Sequence, residues 1–260
     1  MVEYTFSLSV FENFLLVLMR VASFVFVAPF FSLPNVPRRV KVGFSIFVSF
    51  IIMSVYHPEE VMAYSNVIGY AVLVLKEVMT GLLIGYAAQI CNSIMIFAGN
   101  IIDMQIGISM AQEYNPAMRM QSTISGEIYF YMINLMLIVT GMHRYVLRAM
   151  IDSFSLFGLG GAAFEWDNLM LAMVAYITDF FIIAFRIMLP VFGAIMITNC
   201  VLGIMAKVAP QIHMFSIGVQ LKIILGFIVL YLTVILLPDV ADFIFVQMRK
   251  NIVAFIEAMY

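Results

Sequence analysis

The lengths of the apolar runs constrain this chain more than any motif in it. A helix rises 1.5 Å per residue, so a hydrocarbon core of ~30 Å asks for ~20 apolar residues. The run over residues 10–31 meets that measure, the run over 42–55 falls short of it, and those over 67–102 and 169–208 approach twice the length. Ionisable residues stand inside the runs: Arg20 in the first, Lys76 and Glu77 in the third, Asp179 and Arg186 in the fourth. Such unequal lengths do not fit one membrane thickness. Many of these helices are therefore expected to pack against protein rather than lipid.

The chain has 260 residues, 64% of them hydrophobic and 11% charged, with a mean hydropathy of +1.08. Soluble domains carry about 25% charged residues, so this composition belongs to an integral membrane protein or a part of an apolar assembly. A net charge of -2 argues against nucleic acid, which calls for a basic face. The first residues lack the basic start of a secretory signal, so the first run is expected to stay attached. Cys91 and Cys200 lie within apolar runs, where a thiol behaves as a small hydrophobe, and neither indicates a redox compartment or a metal.

A mid-span arginine such as Arg20 is costly and must find a partner or water. Arg38, Arg39 and Lys41 follow the first run and would ordinarily place that end in the cytoplasm. Gly81 and Gly85 form a GxxxG, which admits a neighbouring helix closely. The glycines at 158, 160 and 161 suggest a subdomain boundary, and Pro190 a kink. Asp179 and Arg186, seven residues apart, share a helix face. In the tail, Val240, Ile244, Met248, Ile252, Phe255 and Met259 recur at helical spacing, an amphipathic stripe suited to an interface. No repeat of fixed period is present.

Residues 99–121 lie between two strongly apolar helical runs, and they mix Asp103, Gly107, Glu113, Asn115, Pro116 and Arg119 with Met104, Ile106, Ile108, Met110, Met118 and Met120. Gly107 and the Asn115-Pro116 pair disfavour an uninterrupted helix. A plain surface turn is one reading. Helix connections usually take about 2 to 8 residues, however, and the apolar residues here need burial. Irregular backbone at membrane depth survives only where protein buries it or where it lines a watery cavity. A loop of this kind can occlude a conduit.

The residues of intramembrane enzymes are missing. His57, His143 and His213 are scattered and form no H-E-x-x-H, Ser125 has no base in sight, and Asp103 and Asp179 lack the glycine-flanked setting of a catalytic aspartate pair. No nucleotide-binding loop occurs. The charges Arg20, Lys76, Glu77, Asp179 and Arg186 mark either an ion path or mutual neutralisation across packed helices.

Four blocks together resemble the FliR family of type III export gates. The first is Leu18-Met19-Arg20-Val21 leading to Ala28-Pro29-Phe30-Phe31 and Val36-Pro37-Arg38-Arg39-Val40-Lys41. Next come Glu77, Gly81 and Gly85, running into Ala98-Gly99, then Asp103-Met104-Gln105-Ile106-Gly107-Ile108-Ser109-Met110-Ala111 and Asn115-Pro116. The third is Thr140-Gly141-Met142-His143 with Ser153-Phe154, and the fourth Lys207-Val208-Ala209-Pro210-Gln211-Ile212-His213-Met214-Phe215 with Gly218. Lys207, His213 and Gln220 depart from the family, which commonly has arginine, asparagine and proline there.

The resemblance implies an all-α, membrane-associated chain of long, kinked helical hairpins packed into a helical, conical hetero-oligomer. Residues 1–160 would be a FliP-like portion with a plug loop at 103–121, and 161–260 a FliQ-like hairpin with a C-terminal amphipathic helix. It implies no catalysis and no cofactor or metal. Partners would be FliP-like and FliQ-like subunits, FlhB-like and FlhA-like export proteins, unfolded flagellar export substrates and the membrane, at the flagellar basal body in the bacterial inner membrane. Because that assembly sits largely beyond the bilayer plane, the cytoplasmic placement of Arg38 to Lys41 is discounted. Gly107, Ile108, Ser109, Met110, Ala111, Asn115, Pro116, Met118 and Arg119 would form the plug. Methionine is flexible and polarizable, so Met104, Met110, Met118 and Met120 suit a compliant seal. Gly81, Gly85, Pro210 and Gln211 would serve packing against partner helices, and the five charges would serve packing as well. Two other readings are a virulence-type export gate and a small-solute or ion transporter, the second disfavoured by the lack of inverted repeats.

Overall fold

The structure is a computed structural model that describes residues 8–33, 35–56, 64, 66–108, 123–209 and 214–260, with side chains of the last stretch described from residue 217. Among the described residues there are eight α-helices and no strand: α1 Leu8–Val27, α2 Arg38–Val55, α3 Val67–Ile106, α4 Ile124–Val139, α5 Met142–Phe157, α6 Trp166–Val208, α7 Met214–Val234 and α8 Leu237–Glu257. Four of them, α1, α3, α6 and α7, are long and apolar enough to cross a membrane. The count is five if α4 and α5, joined at a bend, form one broken span. α2 is not among them, in keeping with its short apolar run.

At 40 and 43 residues, α3 and α6 measure about 60 and 65 Å. Lys76 and Glu77 do not interrupt α3, since both residue types are good helix formers. α6 is helical through Pro190.

The chain divides into two compact units drawn from interleaved stretches. Unit 1 takes residues 1–90, 140–177 and 247–260, and unit 2 takes 91–139 and 178–246.

In unit 1, α1 buries Asn13, Leu16, Val17, Arg20, Val21 and Phe24, residues three or four apart that make one stripe. Phe14 of α1 meets Phe50 of α2 edge to face at 5.7 Å. Where α1 runs along α3, the glycines at 81 and 85 remove the side chains that would hold the helices apart. A Cβ at Gly81 would collide with the Arg20 carbonyl and Ser23, and one at Gly85 would come within 3.2 Å of the Phe24 carbonyl. The neighbouring helix admitted by the GxxxG is thus one of the chain's own. α5 starts after Gly141 (φ +75°) and ends at Gly158 (φ +62°), conformations that glycine adopts without a Cβ penalty.

Unit 2 has its core on Ile94, Met95, Ala98, Ile102, Ile106, Ile133 and Leu137. α3 and α4 approach so closely that a Cβ on Gly99 would collide with the backbone of Gly126. Asn134 donates to Asn92 at 2.9 Å, and the Tyr129 and Thr233 hydroxyls meet at 3.0 Å.

Two expectations are corrected here. The tail stripe is no free interface: Ile244, Met248, Ile252, Phe255 and Met259 are buried within the chain. An amphipathic face needs cover, and the fold supplies it. The loop expected over 103–121 does not include its first four residues, since Asp103, Met104, Gln105 and Ile106 complete the last turn of α3. The break falls at Gly107, whose φ of +94° ends the helix.

Candidate functional site

Two clusters of buried polar groups carry the positions singled out by sequence. The first lies in unit 1 around Arg20. Its Nε donates to Glu77 Oε2 at 2.5 Å and its Nη2 to Glu77 Oε1 at 2.8 Å, the two-pronged arrangement that a planar guanidinium makes with a carboxylate. Neither side chain has any exposure. Such a pair is tolerable only if its remaining donors and lone pairs are satisfied. Nη2 also donates to the Gly158 carbonyl at 2.7 Å, and Nη1 donates to Ser153 Oγ at 3.2 Å. Glu77 Oε1 accepts the Gly160 N–H at 2.6 Å. Phe154 lies under the guanidinium, its ring centre 4.1 Å away.

The backbone of the glycines at 158–160 closes over the ion pair. Gly158 and Gly160 both have positive φ, which lets a carbonyl and an N–H point to the same side within three residues. Sequence reading anticipated that Arg20 needs a partner, and it named Glu77 among the intramembrane charges. It missed the turn. A backbone carbonyl 138 positions away has no sequence signature.

The second cluster lies in unit 2 at the end of α3. Asp103 is fully buried, its Oδ2 accepts the Ser125 N–H at 3.1 Å, and its Oδ1 accepts the Ser125 hydroxyl. Ser125 stands in the first turn of α4, where backbone N–H groups lack helical acceptors and a carboxylate is favoured. Asp103 thus caps a helix other than its own. The N–H of Gly107 bonds the Asp103 carbonyl at 3.1 Å, closing α3 where the chain departs.

Of the remaining positions expected to matter, Gly107 and Ile108 are half-buried. Ser109, Met110, Ala111, Asn115, Pro116, Met118, Arg119, Pro210 and Gln211 lie outside the described residues, as do Met120, His213 and Glu113. Met104 is exposed, at 62%. Lys76 is half-buried, with its carbonyl accepting the Thr80 hydroxyl. Asp179 and Arg186 belong to unit 2; Asp179 is half-buried, and Arg186 is exposed with its guanidinium 5.1 Å from the centre of the Phe243 ring. A cavity of about 110 Å³ beside it is lined by Tyr129, Pro190 and Thr233 among others. Among the described residues, no group of three or more His, Cys, Asp and Glu side chains is placed to hold a metal ion.

The family described as bacterial export proteins, family 1, matches residues 11–248. The chain is 28% identical over 254 residues to the flagellar biosynthetic protein FliR of Bacillus subtilis (strain 168), covering 96% of this chain and 97% of that one. It is 26% identical to the FliR of Escherichia coli (strain K12), over 87% of this chain and 84% of that one. Identity to the FliR of Aquifex aeolicus (strain VF5) is also 26%, over 85% and 86%. Both polar clusters fall inside the matched span.

Proposed function

The chain belongs to the bacterial export proteins, family 1, and we propose on that footing that it is a subunit of the flagellar type III protein export gate. The observation that carries this reading is the extent of the match, which takes in every helix from α1 to α8 in part or whole. Relatives named for flagellar biosynthesis in distant bacteria align over most of their length. The chain is a membrane protein with four or five apolar spans by length and composition. Its task is structural and not catalytic: to form, with other subunits, the channel for unfolded flagellar proteins, in the inner membrane at the basal body.

Residues 1–160 are assigned to a FliP-like portion and 161–260 to a FliQ-like hairpin, with FliP-like and FliQ-like proteins as direct partners in a helical, conical assembly. FlhB-like and FlhA-like proteins would act alongside. Helices of about 60 to 65 Å support this, since each exceeds a ~30 Å hydrocarbon core twofold and the excess needs other cover. α7 supports it as well, with Ile224, Phe227, Ile228, Tyr231 and Leu232 exposed in the chain by itself. The segment from Gly107 to Arg119 is assigned as the plug of the resting channel, and the buried Arg20 and Glu77 as the charges that fix helix packing.

Native mass spectrometry of the chain, alone and co-expressed with the FliP-like and FliQ-like proteins of the same organism, tests the assignment. A defined hetero-oligomer that contains the chain is expected. A monomer or homo-oligomer indifferent to both partners would turn attention to the transporter reading and to solute-flux assays.

A further inference from the structure

Three successive turns of α3 are each tied down just before the chain leaves it. At Gly99 the backbone of α4 presses so close that a Cβ would collide with Gly126. One turn on, Asp103 takes both the N–H and the hydroxyl of Ser125. One turn further, Ile106 is fully buried against Gly226 of α7, where a Cβ would come within 2.6 Å of its side chain. Immediately afterwards Gly107 takes φ +94°, and the described residues resume at Thr123, whose carbonyl accepts the first α4 bond from Glu127 at 2.9 Å. The departure and return points are thus held together by one carboxylate and one serine.

We infer that Asp103 is a positioning residue of the gate: it keeps the end of α3 joined to the start of α4 in the conducting state as well as the resting one, so that these two helices do not part when protein passes. This rests on the reading of the chain as a gate subunit with a plug. The physical argument is one of what separation would leave behind. Parting the helices would strand a buried carboxylate and the Ser125 N–H together, and an unmet buried polar group is costly on each side. It would also open a Gly99–Gly126 contact that has no side chain to fill the gap. A fixed junction avoids both.

The test uses the gate assembled with its partner subunits in cells. Asp103→Cys and Ser125→Cys are introduced together, and the pair is joined by oxidation or by a short bifunctional thiol reagent. Export of a flagellar reporter protein and ion leakage across the membrane are both recorded. With the thiols free, leakage is expected to rise several-fold, because the hydrogen bonds are gone. With the thiols joined, leakage should fall back while export continues at the rate of the free pair or better. Loss of export on joining, restored by reduction, would overturn the inference, since it would mean that the helices must separate.

If the cysteine pair fails to assemble, Asp103→Asn and Ser125→Thr serve instead. Ser125→Thr keeps both donors and should stay tight. Asp103→Asn keeps the shape but loses an acceptor, and it should leak while still assembling. An Asp103→Asn gate as tight as the wild type would equally sink the inference. Failure of the plug reading has a different signature, an unchanged leak when residues 108–118 are deleted, and that experiment leaves 103 and 125 intact.

Discussion

Arg20 and Glu77 face each other across α1 and α3 with two hydrogen bonds of 2.5 and 2.8 Å and no exposed surface on either side chain. The pair is oriented as well as paired, for the guanidinium donates a hydrogen bond to the Gly158 carbonyl while the carboxylate accepts one from the Gly160 N–H.

Removing one partner should therefore be far worse than removing both. Arg20→Leu or Glu77→Leu alone is expected to destabilise by about 3 to 5 kcal/mol, the range for stranding a buried charge. The double variant should recover part of that loss. Exchange of the two, Arg20→Glu with Glu77→Arg, should not rescue, because a guanidinium at 77 would face an N–H and a carboxylate at 20 would face a carbonyl. Thermal unfolding of the purified chain in mild detergent gives the ranking, and full recovery by the exchange would refute the oriented arrangement.

A second expectation contrasts two glycines. Gly81→Ala drives a methyl into the Arg20 carbonyl, which is backbone and cannot rotate away, whereas Gly43 has no atom of the described residues within 4 Å of its missing Cβ. The first should cost at least the ~1 to 3 kcal/mol of an overpacked core. The second should stabilise slightly, by up to about 1 kcal/mol, because alanine is the better helix former. Equal melting temperatures for the two variants would show that α1 does not press on α3 at that point.

Gly107 is tested by its backbone shape, since no atom of the described residues lies within 4 Å of its would-be Cβ while its φ of +94° disfavours other residues. Gly107→Val should cost about 1 to 2 kcal/mol of local strain, and Gly107→Asn distinctly less. If this residue sets the path of the plug, ion leakage through the assembled gate should follow the same order, valine above asparagine above wild type. Identical leakage in all three would separate the helix end from the gate.

Arg186 behaves as a surface residue of unit 2. Its contact with Phe243 is worth about 1 kcal/mol at most at an exposed site, so Arg186→Leu should leave the melting temperature of the isolated chain nearly unchanged. An effect should surface instead in assembly with the partner subunits or in protein export. A loss of small-solute flux with assembly intact would favour the transporter reading.

The helical class, the need of Arg20 for a partner and the close approach at Gly81 and Gly85 were legible in the sequence, because each follows from a local rule about length, charge or bulk. Cover was not. The stripe from Ile244 to Met259 has the same spacing whether its lid is a partner or, as here, the chain itself. Asp103 reads as loop by composition, yet it is the last turn of a helix, because Ser125, 22 residues on, meets its carboxylate. The glycines after α5 read as a break for the same reason: their use as acceptor and donor depends on residues 83 to 138 positions away.

That separation gives synthesis a direction. Arg20 emerges from the ribosome long before Glu77, and Glu77 long before Gly160, so the N-terminal helix waits for its counter-charge until residue 77 is made, and for the turn that completes the site until more than half of the chain exists. An arginine held in a membrane helix costs about 2.5 to 3.5 kcal/mol by insertion scales. A nascent chain halted before residue 158 lacks the carbonyl and the N–H that complete the pair, and completion of the turn is the moment at which the first helix can settle for good.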